Sequence, residues 1–262
     1  MSELMKLTQR NYFSKKANRI YMSVSQFKSF SKCPRSALAE IKGKYKREKS
    51  TALLVGSYVD AYFEGSLDKF KKENPEIFNS RSGELKADYK KAEKIIERIQ
   101  KDKLFMKHLS GEKQVIMTGE ICGVPIKIKI DSYHPGKQID DLKIVKDFAP
   151  IYDEERGTLP WFEYWEYDLQ GAIYQEIVRQ NTGLKLPFYL DAATKEEVTD
   201  LDIIHMTQDA LDFALERFMH DVESYDAMKK GIIEPDRCEK CDYCKLTKVL
   251  KIPTESDEYY LI

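Results

Sequence analysis

The chain has 262 residues, 42% hydrophobic and 33% charged, with a formal net charge of −1 at pH 7. That suits a globular protein with a well-buried core, and no apolar run approaches the ~20 residues that span a bilayer. The opening "MSELMKLTQRNYFSKK" lacks the apolar centre of a secretory signal, so a cytoplasmic protein without membrane attachment is expected.

Charge is unevenly spread: residues 1–50 hold 13 Lys/Arg and three acids, a net +10 that leaves −11 for the rest. Such a segment suits either a polyanion such as nucleic acid or a solvated face paired with acids elsewhere. In chain order, "SVSQFKSFSKCPRSALAEIKG" predicts a helix from Ser23, disturbed at Pro34 and ending at Gly43. "TALLVGSYVDAYFEG" reads as a mostly buried helix and "GELKADYKKAEKIIERIQKDKLFMKHL" as a long amphipathic one. The period then changes to two. "KQVIMTG", "VPIKIKID" and "QIDDLKIVK" read as successive strands joined by the turns "GEICG" and "SYHPGK". A helix "WFEYWEYDLQGAIYQEIVRQNTG", strands "PFYLDAAT" and "LDIIHMT", and a helix "QDALDFALERFMHDVESYDAMKKG" follow. With no repeat or low-complexity linker, the expectation is a single α/β domain with a central mixed sheet flanked by helices.

One strand carries charge where apolar residues belong. In "QIDDLKIVKD", Ile139, Asp141, Lys143 and Val145 share one face, and Asp140, Leu142, Ile144 and Lys146 the other. Asp131 ends the preceding strand, so a hairpin brings it near Asp141 and Lys143. Two carboxylates converging on one point repel, which suits a hard divalent cation such as Mg²⁺ or Mn²⁺. A neighbouring ammonium then serves to orient a water for attack on a phosphodiester. The same residues also suit an exposed hairpin whose cross-strand charge pairs are worth under ~1 kcal/mol each. Asp140 points away and is expected to be dispensable. Glu112 and Glu120 read as surface acids, and His108, His134, His205 and His220, which lack ligand spacing, as structural. "CEKCDYC" places Cys238, Cys241 and Cys244 too close for routine disulfides. C-x2-C-x2-C is a run familiar from [4Fe–4S] ligation, and Zn²⁺ would also accept thiolates. Cys122, beside Gly123, reads as a small buried residue.

Asp131, the "DLK" of 141–143 and the downstream "QGAIY" resemble, in this order, the PD-(D/E)XK nuclease superfamily in its RecB-like branch. "SVSQFKSFSKCPRSALAEIKG", "VGSYVDAYFEG", "GVPIKIKID" and "DLKIVKD" together are similar to the phage-type exodeoxyribonuclease VIII (RecE-like) group. The resemblance implies a restriction-endonuclease-like core over residues 1–262: a mainly helical part at 1–110, a catalytic sheet at 111–206, and a C-terminal helix with cysteine tail at 207–262. It implies a metal-dependent exonuclease on double-stranded DNA ends, often paired with a single-strand annealing recombinase, and a homo-oligomer. Residue by residue, Asp131, Asp141 and the Leu142 carbonyl would bind Mg²⁺ or Mn²⁺, and Lys143 would position the water. Asp60 stands where relatives present a histidine to the metal. Gln170 and Tyr174 share a helix face, able to reach DNA or brace the site. Cys33 would complete the set with Cys238, Cys241 and Cys244, as in RecB-like nucleases that fasten their chain ends with a [4Fe–4S] cluster; the last gap here is tighter than theirs, and Zn²⁺ is the second choice. Two other classes compete: a non-catalytic DNA-end-binding scaffold on the same fold, and a metal-binding transcriptional module built on the cysteine tail.

Overall fold

The computed structural model describes residues 4–48, 50–250, 252–253 and 256. Among these, seven α-helices precede the first strand: α1 (Lys15–Ile20), α2 (Val24–Lys32), α3 (Pro34–Ile41), α4 (Thr51–Phe63), α5 (Leu67–Glu73), α6 (Ala87–Gln100) and α7 (Lys103–His108). Serines open three of them. Ser14, Ser23 and Ser50 accept the N–H of Ala17, Gln26 and Leu53, satisfying donors that a helix start leaves orphaned. The helix expected from Ser23 to Gly43 is two helices. Cys33, preceding Pro34, is extended (φ −164°, ψ 99°), as the proline ring requires of its neighbour.

The sheet follows, with strands β1 (Glu112–Ile121), β2 (Val124–His134) and β3 (Gln138–Val145). A small ribbon of β4 (Ile151–Asp153) and β5 (Gly157–Leu159) leads to α8 (Trp161–Tyr164) and α9 (Tyr167–Thr182). Then come β6 (Phe188–Thr194), β7 (Leu201–His205), α10 (Gln208–Lys230) and α11 (Asp242–Leu246). The main sheet has the order β1-β2-β3-β6-β7, with β3 and β6 parallel and the other pairs antiparallel. The first hairpin is tighter than expected. Gly119–Ile121 belong to β1, and the turn is only Cys122 and Gly123 (φ 49° and 70°), the double positive φ of a type I′ turn. Cys122 is therefore a half-buried turn residue rather than a core one.

Period two sorts the sheet into two faces. Ile126, Ile128, Ile130, Ile139, Phe188 and Leu190 pack against α9 and α10 on one side. On the other, Leu142, Ile144 and Ala193 pack against Leu54, Val55 and Tyr58 of α4 and Ile95, Ile96 and Ile99 of α6. Gly171 lets α9 come close, since a Cβ there would lie 2.6 Å from Phe188 and 2.9 Å from Leu211. A mixed sheet covered by helices on both faces is the restriction-endonuclease-like α/β arrangement that the sequence implied.

Candidate active site

β2 and β3 pair only at Ser132↔Asp140, Tyr133↔Ile139 and His134↔Gln138. One step further come Asp131 and Asp141, where the ladder has opened. Beyond it β3 runs on beside β6 alone, from Ile139↔Phe188 to Val145↔Thr194. The carboxylates thus sit in the crotch of a fork between strands. Asp131 Oδ2 accepts the Leu142 N–H at 3.3 Å, and its Oδ1 accepts Gln114 Nε2 at 3.0 Å. Asp141 Oδ1 accepts Gln170 Nε2 at 2.6 Å, while its Oδ2 lies against the Lys143 ammonium. Lys143 Nζ also donates to the Leu142 carbonyl at 3.3 Å.

The electrostatics are those of carboxylates crowded out of water. Burial pushes Asp141 up to about 7, against the downward pull of Lys143. Burial and then Asp131 push Asp60, on α4, well above the ordinary carboxylate range. Burial works against the Lys143 charge, but Asp141 and Asp131 outweigh it and hold the ammonium above its usual range. Among the described residues Asp60 Oδ1 is buried without a hydrogen-bond donor, and Asp141 Oδ2 has the Lys143 ammonium alone. Carboxylate oxygens beside the Leu142 carbonyl are the donor types of a hard divalent cation, so the chemistry of Asp131 and Asp141 fits one.

The profile of a family described as "PDDEXK-like domain of unknown function (DUF3799)" matches residues 23–247. The chain belongs to this PDDEXK-like family. A crystal structure from Eubacterium rectale, named as that of a candidate exonuclease, is 51% identical to this PDDEXK-like chain, with a TM-score of 0.94 over 97% of this chain and 98% of that one. SSO0001, at 13% identity and a TM-score of 0.33 over 87% of this chain and 96% of that one, carries no argument. No curated protein matches.

Several residues around the PDDEXK-like fork escape a sequence reading. Gln114 adopts φ 54° within β1, a left-handed backbone that costs a non-glycine residue about 1 kcal/mol or more and tends to occur at functional sites. Its pairing with Asp131 is missing from an otherwise continuous ladder, and its side chain holds Asp131 instead. Lys28 of α2 donates to the Trp165 carbonyl at 2.7 Å over the Tyr167 ring, and burial lowers it to about 8. Two clefts, of about 430 Å³ and 650 Å³, meet at the fork. They share Phe13, Glu64, Gln114 and Lys129; Lys28 and Asp131 line the smaller, Asp60 and Lys113 the larger.

The other expected residues divide. Gln170 spends its amide on Asp141, and buried Tyr174 donates to the Lys129 carbonyl at 3.0 Å, so both brace the fork. Glu112 and Glu120 are exposed. His205 stacks on Tyr189, and His220 lies 2.7 Å from Asp221. Asp140 does point away from the fork, yet it is fully buried and 2.7 Å from His108, not an idle group. The basic N-terminal segment is partly paired, Arg35 with Glu234 and Arg47 with Glu40.

The cysteines converge across the whole chain. Cys33 between α2 and α3 meets Cys238, Cys241 and Cys244 around α11, with all four sulfurs within 4.8 Å of one another. Cys33 Sγ and Cys244 Sγ are 3.6 Å apart. Burial pushes the Cys33 thiol up to about 12. At Cys238 the backbone N–H groups of Cys241 and Lys240 overcome burial and bring it down to about 6, toward the thiolate that a metal needs. Zn–S bonds of ~2.3 Å put tetrahedral sulfurs about 3.8 Å apart, so this spacing suits a single ion; a [4Fe–4S] cube spreads its thiolates wider.

Proposed function

We propose that this PDDEXK-like protein is a metal-dependent exodeoxyribonuclease acting on the ends of double-stranded DNA. The fork carries the reading: Asp131 and Asp141 meet at the opening of the strands with the Lys143 ammonium held beside them, and Asp60 of α4 is near enough to feel the Asp131 charge. A Mg²⁺ or Mn²⁺ ion held by these carboxylates and the Leu142 carbonyl would polarise the scissile phosphate and stabilise the leaving oxygen. Lys143 orients the attacking water. Gln170 and Gln114 aim Asp141 and Asp131, so that little reorganisation remains at the moment of reaction. Lys28 and Lys129 along the cleft offer charge to phosphates, and Phe13 an exposed ring against which a terminal base can stack. The likeness to the candidate exonuclease and to the RecE-like group supports end-directed action and a single-strand annealing recombinase as the downstream partner. The four cysteines we read as a metal knot, with Zn²⁺ favoured by spacing and [4Fe–4S] by the resemblance.

Linear and closed-circular duplexes offered with Mg²⁺ test the activity. Loss of the linear DNA alone, abolished by EDTA and by Lys143→Ala, is expected. Equal loss from both proteins, or none from either, would refute it, the second outcome leaving an end-binding scaffold. Metal analysis and the visible spectrum of anaerobically purified protein decide the knot: a brown protein absorbing near ~400 nm carries iron–sulfur, a colourless one with zinc a single ion.

A further inference from the structure

On the face of β3 opposite the fork, Asp140 meets Asp191 of β6 and His108 at the end of α7. Both aspartates are fully buried. His108 Nδ1 lies 2.7 Å from Asp140 Oδ1 and 3.2 Å from Asp191 Oδ1. One ring nitrogen carries at most one proton, so it can satisfy one of these carboxylates and not both. Among the described residues Asp140 Oδ2 and Asp191 Oδ2 have no hydrogen-bond donor, and Asp191 Oδ1 has at most the shared His108 proton. The other bases nearby are engaged elsewhere. His134 Nε2 is 3.5 Å from Asp140 Oδ2 but 2.9 Å from the His108 carbonyl, and Lys113 donates to the Leu109 carbonyl. Two carboxylates sealed from water with so few donors are costly unless something positive sits between them.

We propose that His108, Asp140 and Asp191 form a second cation site, structural in role, for a divalent first-row transition ion. One ligand atom from each residue lies within 4.8 Å of the others, close enough to share an ion. An imidazole nitrogen with two carboxylates suits Mn²⁺ or Zn²⁺, whereas the all-oxygen fork suits Mg²⁺. The ligands are held in place before an ion arrives. Gln138 Nε2 donates to Asp140 Oδ1 at 2.8 Å, and the His108 carbonyl accepts Ser132 Oγ at 2.6 Å. An ion here ties α7, β3 and β6 together beside Ser132↔Asp140, the last rung before the fork opens. It stands independently of the nuclease reading, because none of its ligands faces the cleft.

Manganese alone is the probe, since the thiolates of the knot prefer softer ions. The chain carrying Asp131→Asn and Asp141→Asn, which disable the fork, should retain about one Mn²⁺ in equilibrium dialysis and gain thermal stability from it. Adding His108→Gln or Asp191→Asn should weaken that binding at least ~10-fold, the scale of losing one ligand-shell group. If the fork-disabled chain retains no Mn²⁺, the proposal falls and a proton-shared histidine–carboxylate network replaces it, whether or not the His108 variant folds. Undiminished retention after His108→Gln equally overturns it.

Discussion

The fork and the cysteine knot lie at opposite ends of the ligand scale. The fork gathers oxygen donors from the middle of the chain, leaves Asp60 Oδ1 without a donor, and opens to clefts where a substrate can reach it. The knot joins residues 33 and 244, separated by nearly the whole chain, and surrounds its centre with four sulfurs. Open sites do chemistry and closed ones hold structure. One region should thus be removable without the other, and each experiment below asks whether that separation holds.

Removing Lys143 or Asp131 (Lys143→Ala, Asp131→Asn) should have the largest effect, lowering DNA cleavage by about 10³-fold, with the near-isosteric Asp131→Asn leaving the unfolding midpoint in EDTA nearly unchanged. A large drop in midpoint would make the fork a structural centre too. Next, Cys33→Ser or Cys244→Ser should release the bound metal and lower the midpoint by about 10 °C, with cleavage per folded molecule preserved. Gln170→Ala should cut cleavage about 10-fold, since the buried amide–carboxylate bond it removes is worth about 1.5–3 kcal/mol and Asp141 loses its aim.

Acidity provides a subtler contrast. Asp141 is pushed to about 7 in the folded chain, against about 3.9 when unfolded. Between those values the folded state holds a proton that the unfolded state has lost. Its stabilising share is therefore full below about pH 3.9 and lost as pH rises to about 7. Urea unfolding in EDTA at several pH values should show this decline, flattened in Asp141→Asn, and cleavage should rise with pH over the same span as the carboxylate becomes free to bind. The smallest effect expected is at Asp60: Asp60→His should shift the metal requirement a few-fold toward Mn²⁺, because imidazole suits that ion better than Mg²⁺.

Much of the architecture was legible because period two and period 3.6 are written plainly in the apolar residues. Ile126, Ile128 and Ile130 marked a buried strand face, and Gly183 and Gly231 closed α9 and α10 as left-handed caps. The convergence of Asp131 with Asp141 followed from a hairpin and a face. Gln114 could not be read, since its part depends on a backbone kink that no periodicity announces. His108, Asp140 and Asp191 were missed for another reason: their sequence separations are long, and only the pairing of β3 with β6 places them together. Cys33 was reached through resemblance rather than spacing, as two hundred residues of intervening chain carry no geometric information.

The adjacent aspartates of β3 also bear on how the strand finds its place. A slip of one residue exchanges the faces of a strand, and here it would swap Asp140 for Asp141, a carboxylate for a carboxylate. The acidic pair alone would scarcely notice. Lys143 would, because the slip would drive its ammonium into the apolar layer that Leu142 and Ile144 share with α4 and α6. Lys143 thus makes costly the one misalignment that its acidic neighbours would tolerate.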